Sequence, residues 1–286
     1  MKVIRKIEEM QKIADEYRLA DKKIGFVPTM GYLHEGHLSL MEAATEKSDV
    51  LAVSIFVNPT QFSPDEDLEE YPRDIQRDEK RLAEIGCDVL FYPTEAMMYP
   101  SGYKTYVIVE DITQKLCGTS RPTHFRGVTT VVTKLFNIIK PHVAVFGQKD
   151  AQQAIVIKKM VKDLNMDIEI VTAPIVREAD GLAMSSRNVY LSEAEREDAL
   201  SLNQSLNTVK QMIENGERDA NLLKRKIQEM INVKSHTKID YVSIVDTTNL
   251  EEVENISGEV LIALAVFVGK TRLIDNVMVD VEQDLA

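Results

Sequence analysis

The chain has 286 residues, 44% of them hydrophobic and 28% charged, with a net charge of -12. That length buries a large core in one domain or two. The negative balance excludes nonspecific binding to nucleic acid or to an anionic membrane, though it leaves room for a local basic pocket. Cys87 and Cys117 are too few for a disulfide framework and are expected as free thiols of a reducing compartment. Glu8 and Glu9 interrupt the N-terminal stretch early, so no signal peptide is expected. The longest apolar run, 260–268, is too short to span a bilayer. These features predict a cytoplasmic protein.

Apolar runs of strand length alternate with helical patterns through the first 175 residues. Strands are expected over 24–27, 50–57, 88–92, 143–146 and 168–172. The stretch 50–57 is nearly continuous in apolar residues, as expected of a strand covered on both faces. Val128, Val131, Val132, Leu135, Phe136 and Ile139 form a helical stripe, and Ala154, Ile157, Val161 and Leu164 form another. Such alternation predicts a doubly wound α/β domain of Rossmann type with a parallel sheet over residues 1–175. Beyond Ile175 the rhythm changes. Helices are expected over 192–215 and 219–232, the first opened by a Ser192/Glu195 capping box. Strands are expected over 239–245, 260–268 and 273–279. Helices followed by a run of strands predict a smaller α+β domain over 176–286. The polar end, 280–286, is expected to fray.

The first strand runs into Pro28-Thr29-Met30-Gly31-Tyr32-Leu33-His34-Glu35-Gly36-His37 and then an amphipathic segment beginning at Leu38. A helix N-terminus presents unpaired N–H groups and a partial positive charge, which favours anions. Gly36 leaves no side chain to block a ligand, and two imidazoles beside it can donate to phosphate oxygens. His-x-Gly-His spacing marks enzymes that split ATP between its α- and β-phosphates. A zinc pair is the competing reading. The spacing is shorter than His-Glu-x-x-His, and no suitable third ligand follows nearby. A surface histidine pair without chemistry is the bland one.

Four further segments join this motif: Asn58-Pro59-Thr60-Gln61, Arg121-Pro122-Thr123-His124, Gly147-Gln148-Lys149-Asp150 with Gln153 a helical turn on, and Met184-Ser185-Ser186-Arg187-Asn188. Each is weak alone. In this order, and over nearly the whole length, they make the chain resemble the pantothenate synthetases, or pantoate–β-alanine ligases.

That resemblance implies a Rossmann-like nucleotidyltransferase fold with a C-terminal lid. It implies an ATP- and Mg²⁺-dependent condensation of pantoate with β-alanine through a pantoyl adenylate, with release of AMP and pyrophosphate, by a homodimer. It carries His34, His37 and Lys149 over as phosphate contacts. Met184, Ser185, Ser186 and Arg187 stand where related synthetases have a Lys-Met-Ser-Lys-Ser loop. Pro28, Met30, Gly31 and Gly36 line the ATP site. Gly147, Asp150 and Val176 carry over to ribose and adenine contacts. Gln61 and Gln153, with Met30, carry over to pantoate.

The residue types suit that chemistry. Amides both donate and accept, so Gln61 and Gln153 can orient a carboxylate bearing hydroxyls. The carboxylate needs no general base, so positioning and electrostatics should dominate. Asp78 is expected as a Mg²⁺ contact, direct or through water. Arg121 and His124 are read as crevice residues or as a structural network. The acidic run 65–70 is expected as a solvated loop, His142 and His236 as structural, and Cys87 and Cys117 without chemistry. The alternative enzyme reading moves AMP to a phosphorylated small molecule. A non-catalytic ATP-binding protein is the third.

Overall fold

The computed structural model describes residues 1–63 and 66–281. Asp65 of the acidic run and residues 282–286 of the polar end lie outside the described residues. Two compact units are formed, one of Met1–Thr113, Arg121–Gln148 and Gln152–Pro174, the other of Gln114–Ser120, Lys149–Ala151 and Ile175–Ala286.

The first unit contains β1 (Lys2–Ile4), α1 (Ile7–Leu19), β2 (Ile24–Thr29), α2 (Glu35–Thr45), β3 (Val50–Ile55), α3 (Ile75–Glu84), β4 (Val89–Phe91) and the short α4 (Glu95–Met98). The short α5 (Cys117–Ser120) belongs to the second unit. The first unit then resumes with α6 (His124–Ile139), β5 (Val143–Gly147), α7 (Ala151–Asp163) and β6 (Glu169–Ala173). Its six strands pair in the order β1-β4-β3-β2-β5-β6, and every pairing is parallel.

Side chains of a strand alternate between faces, so a sheet covered on both sides needs two cores. They are present. Phe26, Ala52, Phe91 and Ala144 pack into one with Ile13 of α1, Val132 and Phe136 of α6, and Ile157 of α7. Val27, Leu51, Val53, Leu90 and Val145 pack into the other with Leu40 and Met41 of α2 and Leu82 of α3. All six residues of β3 are buried, as its continuous apolar sequence requires. This is the expected doubly wound α/β arrangement. Strand β3 ends at Ile55 rather than 57 because Asn58-Pro59 starts a 3-10 turn. Strand β1 was not expected. It is three residues long, only Ile4 is buried, and it exists by pairing with β4.

The second unit contains α8 (Glu193–Glu214), α9 (Ala220–Asn232), β7 (Thr237–Asp246), β8 (Gly258–Val268) and β9 (Thr271–Val281). Its sheet is antiparallel with β8 in the middle. Ser192 caps α8 in the predicted box with Glu195, and Asp219 caps α9 by accepting from Asn221 and Leu222. The helices bury Leu202, Leu206, Leu223 and Ile227 against Ile244, Ile262 and Leu264.

Candidate active site

In the first unit the chain order reverses between β2 and β5, which lie side by side. Ligands of doubly wound sheets bind beyond the carboxyl ends of strands at such a point. Two of the segments singled out above leave the sheet there: the loop 30–34 after β2, and Gly147 at the end of β5.

The first loop is tightly specified. Pro28 and Thr29 end β2, and the Thr29 hydroxyl accepts the Gly31 N–H at 3.2 Å. Gly31 and Tyr32 both have positive φ, +85° and +51°, and a Cβ on Gly31 would stand 3.1 Å from an Asp78 oxygen. That turn therefore favours glycine. Helix α2 begins after His34, which is its N-cap, and Gly36 and His37 lie in its first turn. The two imidazoles are half-buried with ring centroids 4.0 Å apart. His37 Nδ1 accepts the His34 backbone N–H at 3.3 Å. An Nδ1 that accepts leaves the neutral ring's proton on Nε2, so His37 presents a donor at the helix N-terminus. Glu35 would oppose an anion there, but Arg81 holds it at 2.7 Å. That hydrogen bond keeps the Glu35 carboxyl below the usual carboxylate range.

Helix α3 braces this loop. Asp78 is buried, and its two oxygens accept the N–H groups of Tyr32 at 2.7 Å and Leu33 at 2.8 Å. Burial pushes its carboxyl up, against those two backbone donors. Arg81, one turn on, donates to the Leu33 carbonyl at 3.0 Å. The Arg77 guanidinium lies 4.7 Å above the Tyr32 ring. Asp78 thus serves the backbone of the loop with both oxygens. Among the described residues no group of three or more His, Cys, Asp or Glu could hold a metal ion.

Gln61, expected to orient a hydroxy acid, closes the 3-10 turn after β3. Its Nε2 donates to Met30 Sδ at 3.0 Å, and its Oε1 accepts from Asn58 Nδ2 at 3.2 Å. Asn58 is buried and fixed in turn: Nδ2 donates to the Gly127 carbonyl at 3.1 Å, and Oδ1 accepts from Tyr99 at 2.8 Å and Thr60 at 2.9 Å. Burial pushes the Tyr99 phenol up to about 12, so it remains a donor at neutral pH. A Cβ on Gly127 would collide with the Thr60 carbonyl, so only glycine lets α6 approach this turn.

Arg121 and His124 converge on the same turn. His124 Nδ1 lies 2.9 Å from the Gln61 carbonyl, and Arg121 donates to that carbonyl at 3.2 Å. The guanidinium is also bidentate on Glu66, with Nε to Oε1 at 2.8 Å and a second short bond to Oε2. Burial raises the Glu66 carboxyl, but Arg121 outweighs it and holds the group below the usual range. Arg121 and His124 therefore form a network that sets the Gln61 backbone. Gln153 is half-buried near the start of α7, and among the described residues no hydrogen bond joins it to Gln61 or Met30.

The remaining candidates lie in the second unit. Lys149 and Asp150 follow Gly147 in a 3-10 turn, their charged groups 3.4 Å apart. The Lys149 carbonyl accepts from buried Asn276 of β9 at 3.0 Å. Asp275 takes a bidentate pair from Arg177 at 2.7 and 2.9 Å. Residues 176–184 form a small hairpin, with Met184 N–H donating to the Val176 carbonyl at 3.0 Å. Ser185 then caps a 3-10 turn whose first residues are Ser186 and Arg187, its hydroxyl accepting from Arg187 N–H at 3.2 Å. Asn188 anchors the loop through Glu178 at 2.6 Å and the Ala183 carbonyl at 3.0 Å.

Sequence reasoning kept Asn58 within its motif without a role, and missed Tyr99, Arg81 and Asn276. Asn58 before a proline after a strand was a usable signal. The other three carry none, because each acts on a segment distant in sequence. Neither cysteine is in a disulfide; burial pushes the Cys87 thiol up to about 12, which makes it inert at neutral pH. His142 accepts the Ile24 N–H at 2.9 Å, and His236 pairs with Asp198 at 2.8 Å, so both have structural partners.

Residues 2–278 match the family described as pantoate-beta-alanine ligase. The chain is 57% identical over 280 residues to the pantothenate synthetase of Caldicellulosiruptor bescii, covering 98% of this chain and 99% of that one. It is 58% identical over 276 residues to that of Thermotoga petrophila, covering 96% and 99%. Among solved structures, pantothenate synthetase from Thermus thermophilus superposes with a TM-score of 0.92 at 40% identity, covering 97% of this chain and 99% of that one. Pantoate-beta-alanine ligase from Francisella tularensis, complexed with beta-gamma ATP and beta-alanine, gives 0.79 at 36% identity, with 97% of each chain covered. The chain belongs to the pantoate–β-alanine ligase family.

Proposed function

We propose that this ligase joins pantoate to β-alanine in two steps through an enzyme-bound pantoyl adenylate. In the first step a pantoate carboxylate oxygen attacks the α-phosphorus of ATP, the bond to the bridging oxygen breaks, and pyrophosphate leaves. In the second the β-alanine nitrogen attacks the acyl carbon, AMP leaves, and the amine gives up a proton. The observation that carries this reading is the imidazole pair at the start of α2, centroids 4.0 Å apart, with an Nε2 donor on His37.

His34 and His37 would bind the phosphates together with the N-terminal N–H groups of α2. Lys149, Ser185, Ser186 and Arg187 would supply further donors and positive charge to the α-phosphate and the leaving group. Gln61 and Gln153, with Met30, would orient pantoate. Pro28, Gly31, Gly36, Gly147, Asp150, Val176 and Met184 would shape the nucleotide site. Residues 1–175 would act as the ATP- and pantoate-binding domain and 176–286 as its lid. The family resemblance also implies Mg²⁺, which would lend positive charge to the phosphates, with Asp78 as its contact, direct or through water. We take the enzyme to be a homodimer of the cytoplasm. The unbridged cysteines agree with that compartment, and among the described residues no helix is long and apolar enough to cross a membrane.

Exchange of labelled pyrophosphate into ATP tests the order of steps. Exchange is expected with pantoate and without β-alanine, and should vanish when pantoate is omitted. A requirement for β-alanine would exclude the free adenylate. Exchange supported by a phosphorylated small molecule instead of pantoate would favour transfer of AMP to such a substrate.

A further inference from the structure

The buried amide of Asn58 has a complete set of partners within the first unit. Its two N–H bonds go to the Gly127 carbonyl at 3.1 Å and to Gln61 Oε1 at 3.2 Å. Its oxygen takes the Thr60 hydroxyl at 2.9 Å and the Tyr99 hydroxyl at 2.8 Å. A primary amide has two donor hydrogens and two lone pairs, so all four are used. The amide cannot be turned over, because the Gly127 carbonyl accepts and does not donate. With its sense fixed, Asn58 directs a hydrogen at Gln61 Oε1, and Gln61 is left to present Nε2. That group rests on Met30 Sδ at 3.0 Å, and a thioether is a weak acceptor that a ligand oxygen readily replaces. Asn58, Thr60 and Gln61 share one turn, so the bonds among them shape the turn without anchoring it. Two bonds tie the Asn58 amide to other elements: the Gly127 carbonyl of α6 and the Tyr99 hydroxyl at the end of α4. The second is made by a side chain, 41 positions away in sequence.

We propose that Tyr99 is a positioning residue for pantoate: its hydroxyl locks the Asn58 amide, which in turn holds Gln61 with Nε2 toward the ligand. The proposal rests on the pantoate role given above to Gln61 and adds a residue that acts through it. The phenol is well placed for this task. Its ring packs against Phe56, just before the turn, with centroids 6.3 Å apart, and against Tyr103 at 5.1 Å. The ring therefore fixes where the hydroxyl stands. Without that hydroxyl the Asn58 oxygen is one donor short in a buried place, and the amide keeps Thr60 alone on that side. The freedom Asn58 gains passes to Gln61. The loss should fall on pantoate and spare ATP, whose phosphate contacts are proposed on other loops.

Initial-rate kinetics of the full chain and three variants test this. Tyr99→Phe keeps the ring and its packing and removes only the hydroxyl. It should lower kcat/KM for pantoate about fivefold, through KM, the order expected for one hydrogen bond, with KM for ATP unchanged. Gln61→Ala should lower kcat/KM for pantoate further. Adding Tyr99→Phe to Gln61→Ala should then change nothing more, because a residue that acts through another has no effect once the other is gone. An unchanged kcat/KM for pantoate in Gln61→Ala overturns the pantoate role of Gln61 and the proposal with it. A loss in Gln61→Ala beside none in Tyr99→Phe overturns the proposal alone. So does a loss in the double variant as large as the one Tyr99→Phe causes by itself, because Tyr99 would then act by a route other than Gln61. Equal rises in KM for ATP and for pantoate in Tyr99→Phe would mean general damage and would overturn it as well.

Discussion

Asp78 accepts the backbone N–H of Leu33 at 2.8 Å, across 45 positions of sequence. Its other oxygen takes Tyr32 at 2.7 Å, so one buried side chain on α3 fixes the turn that aims the imidazole pair. Arg81, on the same face of that helix, closes the clamp through the Leu33 carbonyl and Glu35. Precise placement of phosphate donors is the main demand of adenylate chemistry. For the phosphate role proposed for His34 and His37, the brace thus matters as much as the rings themselves.

Asp78→Asn tests the brace. An amide offers one acceptor oxygen and turns its NH₂ against the second backbone N–H. A buried donor left unsatisfied costs about 1–3 kcal/mol. Thermal unfolding should show that loss, and pyrophosphate exchange should slow. If both are unchanged, the loop is held by something other than Asp78.

The sequence made the strand–loop–helix around His34 legible because its signals are local: an apolar run, a glycine turn and a helical stripe. The Ser192/Glu195 box was legible for the same reason. Asp78 was not. A carboxylate near a helix start gives no sign in the sequence of the two N–H groups it accepts, which lie more than forty residues upstream. Tyr99 on Asn58, and Asn276 on the Lys149 carbonyl, escaped likewise. They are polar side chains in ordinary positions, and only the fold delivers their partners. Strand β1 escaped because pairing with β4, rather than hydrophobic pattern, makes it a strand.

Two changes at His37 separate its structural and chemical parts. Asn places an acceptor oxygen near the position of Nδ1 and so keeps the bond from His34 N–H, but it lacks the Nε2 donor. Ala lacks both. Loss of one transition-state donor typically costs about 10²–10³ in rate, and exchange should fall by that order in both variants. Loss of a helix cap costs about 1 kcal/mol, so Ala should lower stability while Asn should not. An active His37→Asn enzyme would remove the phosphate role.

Arg121→Lys tests whether the guanidinium sets the Gln61 turn. Lysine keeps the charge but cannot bond both Glu66 oxygens and the Gln61 carbonyl at once. The KM for pantoate should rise several-fold while KM for ATP stays near its original value. Equal changes in both would mean general damage. The clamp should also weaken in acid. Arg121 holds Glu66 below the usual carboxylate range, so the contribution is present above that range and is lost as pH falls through the lower folded value.

His142 makes a stability prediction of definite sign. Its Nδ1 accepts the Ile24 N–H at 2.9 Å, at the start of the strand that feeds the active-site loop. Protonation would put a donor there. Burial, helped by the positive charges of Arg18 and Lys23, holds the folded value below the ordinary 6.5. The unfolded chain therefore takes up the proton first as pH falls. Between 6.5 and the lower folded value it binds more protons than the native state, so stability drops with falling pH. His142→Asn offers an acceptor in the same place and does not titrate. Denaturant unfolding of the two proteins from about pH 8 to about pH 5 should give curves that run parallel above neutrality. Below about 6.5 they should diverge, the wild type losing stability relative to the variant by no more than about 1.4 kcal/mol per pH unit, the limit for one proton. Taking the difference cancels every other titrating group. A difference that stays flat across the range would show that His142 does not couple β2 to pH.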